Sequence, residues 1–219
     1  MNNTSKKILL LLVAANTAVL GAAGTAMAEE RTSRLNYTQA KLGMFQPGGD
    51  LDDAGYDSGG ALGVVYGRYL AEHLVLEAGL DLLATDNTVH ASNNQAGYYT
   101  QDNTLAGVGG VVTLKGEFQT GPVALFAGGG VGLYAVSLSS EVESSRLGDF
   151  DSDNSDAVFG AHVTAGATLD ISERFFLGLE GRYRWTDDVD IRETVASIPM
   201  EYSGDLSGYS ITFNAGFRF

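Results

Sequence analysis

The C-terminal segment Tyr209-Ser210-Ile211-Thr212-Phe213-Asn214-Ala215-Gly216-Phe217-Arg218-Phe219 decides the fold. Its odd positions carry Tyr, Ile, Phe, Ala, Phe and Phe; its even positions carry Ser, Thr, Asn, Gly and Arg. Successive side chains of a strand point to opposite faces, so this alternation describes a strand with one apolar and one polar face. In a soluble sheet the apolar row would meet a core. In a membrane barrel it meets lipid, and the polar row lines the interior.

The strand before it repeats the pattern: Leu177, Leu179, Gly181, Tyr183 and Trp185 alternate with Glu180, Arg182 and Arg184. Alone, it fits a soluble sandwich equally well. Repetition and loop length separate the two readings. Eight candidate strands cover 37–46, 60–70, 74–84, 105–118, 122–137, 157–169, 174–186 and 208–219. The connections at 71–73, 119–121 and 170–173 are short, whereas those after strands one, three, five and seven are long. Segregated short turns and long loops are the plan of a bacterial outer-membrane barrel, turns periplasmic and loops outside. The expected fold is therefore all-β, a transmembrane antiparallel up-and-down barrel of eight strands.

Ahead of the strands, Lys6 and Lys7 precede an apolar run, 8–19, that ends in small residues and Ala26-Met27-Ala28. This reads as an export signal cleaved after residue 28, leaving 29–219 as the barrel domain. An uncleaved anchor is the alternative, although the run is shorter than the roughly 20 residues a helical span needs. The chain has no cysteine, which excludes disulfides and thiolate metal sites. Its 29 glycines against 3 prolines suit a regular sheet. Glycines inside candidate strands, such as Gly107, Gly109, Gly110, Gly128, Gly129, Gly130 and Gly132, suit a bent barrel wall.

The net charge is −14, and removing Lys6 and Lys7 with the leader makes it −16. Nucleic acid is not an expected partner. The acidic residues gather in the long connections: Asp50, Asp52, Asp53 and Asp57; Asp86 and Asp102; Glu141, Glu143, Asp149, Asp151, Asp153 and Asp156; Asp187, Asp188, Asp190, Glu193, Glu201 and Asp205. Only Arg146 and Arg192 oppose them. Like charges at this density predict extended loops with a weak attraction for divalent cations shared with lipopolysaccharide. No metal site is expected, because the acidic run 149–156 lacks the glycine and distal glutamate of an EF-hand loop.

Alternation assigns Leu74, Leu76, Leu177, Leu179, Ile211 and Phe213 to the lipid face. Tyr69, Tyr183, Trp185, Tyr209 and Phe219 are assigned to aromatic girdles at the membrane interfaces. The interior is expected to hold Lys41, Arg68, Lys115, Arg182, Arg184 and Arg218 against Glu77, Asp81, Glu117 and Glu180, with His162. These nearly balance, so mutual pairing is the expected way to keep them in a barrel just wide enough for side chains. A bulge would flip the facing of the residues beyond it, and the facing of strand two, 61–69, is the least determined.

The segments Gly63-Val64-Val65-Tyr66-Gly67-Arg68-Tyr69 and Leu74-Val75-Leu76-Glu77-Ala78-Gly79, with Phe217-Arg218-Phe219 at the end, resemble the small outer-membrane β-barrel family that includes the OmpA transmembrane domain, OmpX and Ail-type proteins. The resemblance implies outer-membrane lipid and lipopolysaccharide as surroundings. It also implies insertion by the barrel-assembly machinery, with Phe217 and Phe219 as the signal read. The peptidoglycan-binding domain of full-length OmpA is not expected here. Some small barrels are lipid-modifying enzymes, and His162 with Thr164 superficially resembles the His-x-Ser of lipid A deacylases. Threonine stands in place of serine, His73 falls in a turn and His90 in a loop, so no catalytic residues and no cofactor are assigned. The glycine run 128–132 is followed by no helix that could present its N-terminus to a phosphate. The expected role is non-enzymatic display of acidic loops, serving envelope integrity or surface interaction. A narrow passive or gated pore is the alternative.

Overall fold

The computed structural model describes residues 36–93, 97–144, 148–195 and 198–219. Side chains are described except at 89–93, 97–99, 101, 140–144, 148–154, 189–195 and 198–203. The expected leader, 1–28, and Arg146 lie outside the described residues, as do the side chains of His90, Glu141, Glu143, Asp149, Asp151, Asp153, Asp190, Arg192, Glu193 and Glu201.

Alternating segments become strands β1 (Asn36–Pro47), β2 (Gly59–Ala71), β3 (Leu74–Asn93), β4 (Gly97–Thr120), β5 (Val123–Ser144), β6 (Gly148–Asp170) and β7 (Phe175–Thr186), then β8 (Val189–Val195), β9 (Ile198–Gly204) and β10 (Gly208–Arg218). Eight of them close a barrel in the order β1-β10-β7-β6-β5-β4-β3-β2, and every pair is antiparallel. The seam runs from Tyr37↔Arg218 to Pro47↔Gly208. Among the turns, Gly121 supplies a positive φ of 63° between β4 and β5, a conformation glycine adopts without steric cost.

The long connections differ from the sequence expectation. Strands β3 to β6 run 20, 24, 22 and 23 residues, far more than the roughly 9–11 that cross a bilayer. Much of what reads as loop is continued hairpin. Beyond the bilayer both faces of a ribbon meet water, so the apolar alternation disappears from the sequence while backbone pairing persists. The segment after β7 likewise contains the separate hairpin β8-β9.

The first connection is not extended either. It holds a short helix, α1 (Asp50–Asp53), which turns Leu51 inward until it is 1 % exposed. Leu51, Tyr56 and Leu206 join Leu105, Val111, Tyr134, Val136 and Val158 in one apolar cluster at the loop end of the barrel. Burial of these side chains outweighs repulsion among exposed aspartates, each screened by water and salt. Hydrogen bonds from the main chain hold the lid: the Gly48 N–H donates to the Ser207 carbonyl at 2.9 Å and the Leu206 N–H to the Thr186 side-chain Oγ1 at 2.7 Å. Asn87 Nδ2 donates to the Ala54 carbonyl at 2.7 Å.

The turn end has its own stopper of Tyr37, Val75 and Phe176, with Tyr69 packed against it. The Tyr37 ring meets Tyr69 and Phe176 edge-on, with centroids 5.9 and 5.6 Å apart. The charged middle of the barrel thus lies between two apolar layers.

Candidate functional site

The central layer is built from alternate residues of β1, β3, β4 and β7. In the barrel order β3 and β7 stand opposite each other, so side chains reaching between them cross the lumen. Lys41 on β1 donates to both oxygens of Glu180, at 2.9 Å to Oε1 and 2.8 Å to Oε2. Lys115 on β4 donates to Glu180 Oε2 at 2.9 Å and lies 2.8 Å from Glu77 Oε2. Arg182 donates to Glu180 Oε1 at 3.0 Å and, through Nη1, to Asp81 on the far wall. Glu180 is 1 % exposed and receives three cations.

Neighbouring groups extend the network toward both stoppers. Toward the turn end, Tyr37 Oη and Gln39 Nε2 donate to Glu77 Oε1 at 2.5 and 3.0 Å. Toward the loop end, Arg184 Nε donates to Tyr134 Oη at 3.0 Å, and Arg184 Nη2 lies 3.4 Å from Asp81 Oδ2. The Arg184 guanidinium stacks over the Tyr134 ring at 4.7 Å, and the Lys115 ammonium over Phe126 at 4.3 Å. Such contacts supplement ion pairs where water is excluded. Between Lys41, Asp81, Glu180 and Arg182 there remains a cavity of ≈ 10 Å³, room for about one water molecule.

Large rings fit inside because glycines face them. A Cβ on Gly109 would fall 2.2 Å from the Tyr134 ring, and one on Gly67 would fall 2.1 Å from the Tyr37 ring. Gly109 and Gly67 are receptacles for rings from neighbouring strands, a packing role beyond the bending expected from sequence.

Lys41, Glu77, Asp81, Lys115, His162, Glu180, Arg182 and Arg184 all lie buried in the interior. His162 Nε2 is 2.8 Å from Thr113 Oγ1, and Thr164 Oγ1 donates to the Gly181 carbonyl at 3.1 Å, so the two form no nucleophile–base pair with each other. Glu117 and Arg218 point inward but sit at the turn-side rim. Glu117 accepts from Tyr69 Oη at 2.9 Å, and Arg218 pairs with Asp170 at 2.5 Å.

Two assignments are overturned, both on β2. Arg68 is exposed on the outer face, and Tyr69 turns inward to the turn-end stopper. The inward row is Ala61, Gly63, Val65, Gly67 and Tyr69 because the Tyr37 ring occupies the space where a Gly67 side chain would be. Residue size fixes the facing here, where polarity misleads. Tyr37, Gln39, Phe45, Phe126, Tyr134, Asp170 and Phe176 were missed as interior groups; all seven share a phase with polar or glycine residues of their strands.

Outside, Leu74, Leu76, Leu177, Leu179, Ile211 and Phe213 are all exposed. Tyr183, Trp185 and Tyr209 project outward near the loop end, with the Tyr183 and Trp185 rings 4.7 Å apart. Phe217 and Phe219 flank the turn end, Phe217 against Phe175 at 5.0 Å and Phe219 against Tyr66 at 6.3 Å.

A closed barrel with an apolar outer wall and an interior of buried, paired charges is the architecture of a bilayer-spanning β-barrel protein. The chain belongs to the outer membrane protein β-barrel domain family, whose profile matches residues 12–219. Its place is accordingly the outer membrane. No curated sequence matches significantly. Among solved structures, the chain is similar to OprG of Pseudomonas aeruginosa, with 13% identity, a TM-score of 0.58, and coverage of 84% of this chain and 96% of that one. It is also similar to Neisserial surface protein A, with 17% identity, a TM-score of 0.53, and coverage of 87% and 100%. At these identities the likeness is one of fold.

Proposed function

We propose that this chain is a non-enzymatic outer-membrane barrel, closed to solutes, that carries acidic hairpins and loops at the cell surface. The observation that supports this reading is the convergence of Lys41, Lys115 and Arg182 on Glu180 across the lumen, between two apolar layers. A solute would have to break buried ion pairs and displace packed side chains at both ends. In this reading residues 1–28 are a cleaved leader, the short turns are periplasmic, and the assembly machinery reads Phe217 and Phe219. The hairpins stand among lipopolysaccharide, where their carboxylates share divalent cations with its phosphates. The role is mechanical and interactive, serving envelope integrity and surface contact.

The test is single-channel recording on refolded protein in planar bilayers, with mass spectrometry of lipid A from cells overproducing the chain. The expected outcome is no steady current and unaltered lipid A. Large steady currents would overturn the closed barrel in favour of a pore, and modified lipid A would overturn the non-enzymatic reading.

A further inference from the structure

Among the described residues the outer wall is uncharged from rim to rim with one exception. Among the described residues, the outward rows from the turn ends up to Gln46, Gly60, Ala84, Ala106, Ser137, Ala157, Trp185 and Tyr209 contain a single charged side chain, Arg68. No ion pair or hydrogen bond of its guanidinium is found among the described residues.

The depth of Arg68 is fixed by register. It pairs with Asn36, the first residue of β1, and with Leu76, near the start of β3. It lies three residues before the end of β2 at Ala71, roughly 8 Å along the barrel axis for a strand tilted as in such barrels. Beside it are Tyr66, whose Oη donates to Asn36 Oδ1 at 2.8 Å, and the Phe219 ring. An arginine at this depth extends its head toward the interface while its stem stays on the apolar wall.

We propose that Arg68 is a binding site for the phosphate of a glycerophospholipid in the turn-side leaflet. The guanidinium offers a planar donor fork that matches a phosphate in bidentate fashion. The wall beside and beyond it toward the bilayer middle, Leu76, Tyr66 and Val64, receives the acyl chains of the same molecule. Phosphate on a lipid satisfies both features, whereas free phosphate satisfies only the first. The site rests on the wall facing hydrocarbon and on the proposed periplasmic placing of the turns, which puts it in the glycerophospholipid leaflet, but not on whether the lumen conducts.

The experiment is solid-state NMR on arginine-labelled protein refolded into phosphatidylethanolamine–phosphatidylglycerol vesicles in phosphate-free buffer. Phosphorus recoupling should attenuate the Arg68 guanidinium carbon, identified by its disappearance in R68K, and leave those of Arg182 and Arg184 at full intensity. An unattenuated Arg68 signal overturns the proposal. So does equal attenuation in lipid-free micelles with added inorganic phosphate, which would make the site a general anion site. Native mass spectrometry gives a second readout on folded protein: R68Q should retain one phospholipid fewer than the unmutated chain. Identical adduct distributions would also overturn it.

Discussion

Lys41 and Glu180, 139 residues apart in sequence, meet inside the barrel with the ammonium 2.9 and 2.8 Å from the two carboxylate oxygens. The contact reaches across β10, which lies between their strands. Because Glu180 also serves Lys115 and Arg182, its removal leaves Lys41 without a carboxylate and takes one of two from each of the others, which keep Glu77 and Asp81. Breaking one partner of a buried pair commonly costs about 3–5 kcal/mol. Glu180→Ala is expected to lose stability on that scale in a urea titration in lipid vesicles.

The same variant should remain non-conducting. The apolar clusters at both ends do not depend on Glu180. Planar-bilayer recordings of Glu180→Ala are therefore expected to stay at the baseline of the unmutated protein. Opening requires both stoppers to yield as well: Glu180→Ala combined with Leu51→Asp and Phe176→Ala should show transient currents.

The lid alone gives a local readout. Leu51→Ala removes a fully buried side chain, a change that in packed cores costs about 2–5 kcal/mol. The loss falls on a surface segment that can open without unfolding the barrel. Hydrogen exchange should accelerate at the amides of Gly48 and Leu206 and stay slow at Ile211 and Leu179.

Interior glycines separate into two kinds. Gly109→Ala drives a methyl into the Tyr134 ring, and overpacking of this sort costs roughly 1–3 kcal/mol. At Gly107, on the same strand face two residues away, a Cβ meets nothing within 4 Å. Gly107→Ala is expected to be neutral or slightly stabilising. Comparing the two refolding midpoints checks the receptacle role of Gly109.

On the lipid face, Leu179 is 57 % exposed and pairs with the outward Phe213. Leu179→Arg should destabilise by about 2–4 kcal/mol at the depth of the bilayer midplane. A lipid-refolding titration measures it, and an unchanged midpoint would place β7 outside the hydrocarbon.

The alternation in β7 and β10 was legible because each strand separates two unlike surroundings and carries large apolar residues on one side only. Most of the central charges could be assigned by the same token. Strand β2 was not legible by polarity: its inward row carries only small apolar residues up to Tyr69, and its only cation lies on the lipid side. Its facing follows from the volume of Tyr37, a residue on another strand, which no local pattern contains. The lid was hidden for a related reason. Leu51 stands among aspartates, and only the barrel mouth beneath it makes its burial favourable. The length of the hairpins escaped because pairing in water leaves no periodic trace.

The seam between β1 and β10 joins the two ends of the described chain, Tyr37 with Arg218. A slip of two residues along it would keep every outward side chain toward lipid, so the membrane alone scarcely discriminates against it. The slip would move Lys41 by about 7 Å relative to β7, out of reach of Glu180. The buried ions thus work as the wards of a lock. Hydrophobicity can roll the sheet into a cylinder, but only one register lets the charges in its middle find each other.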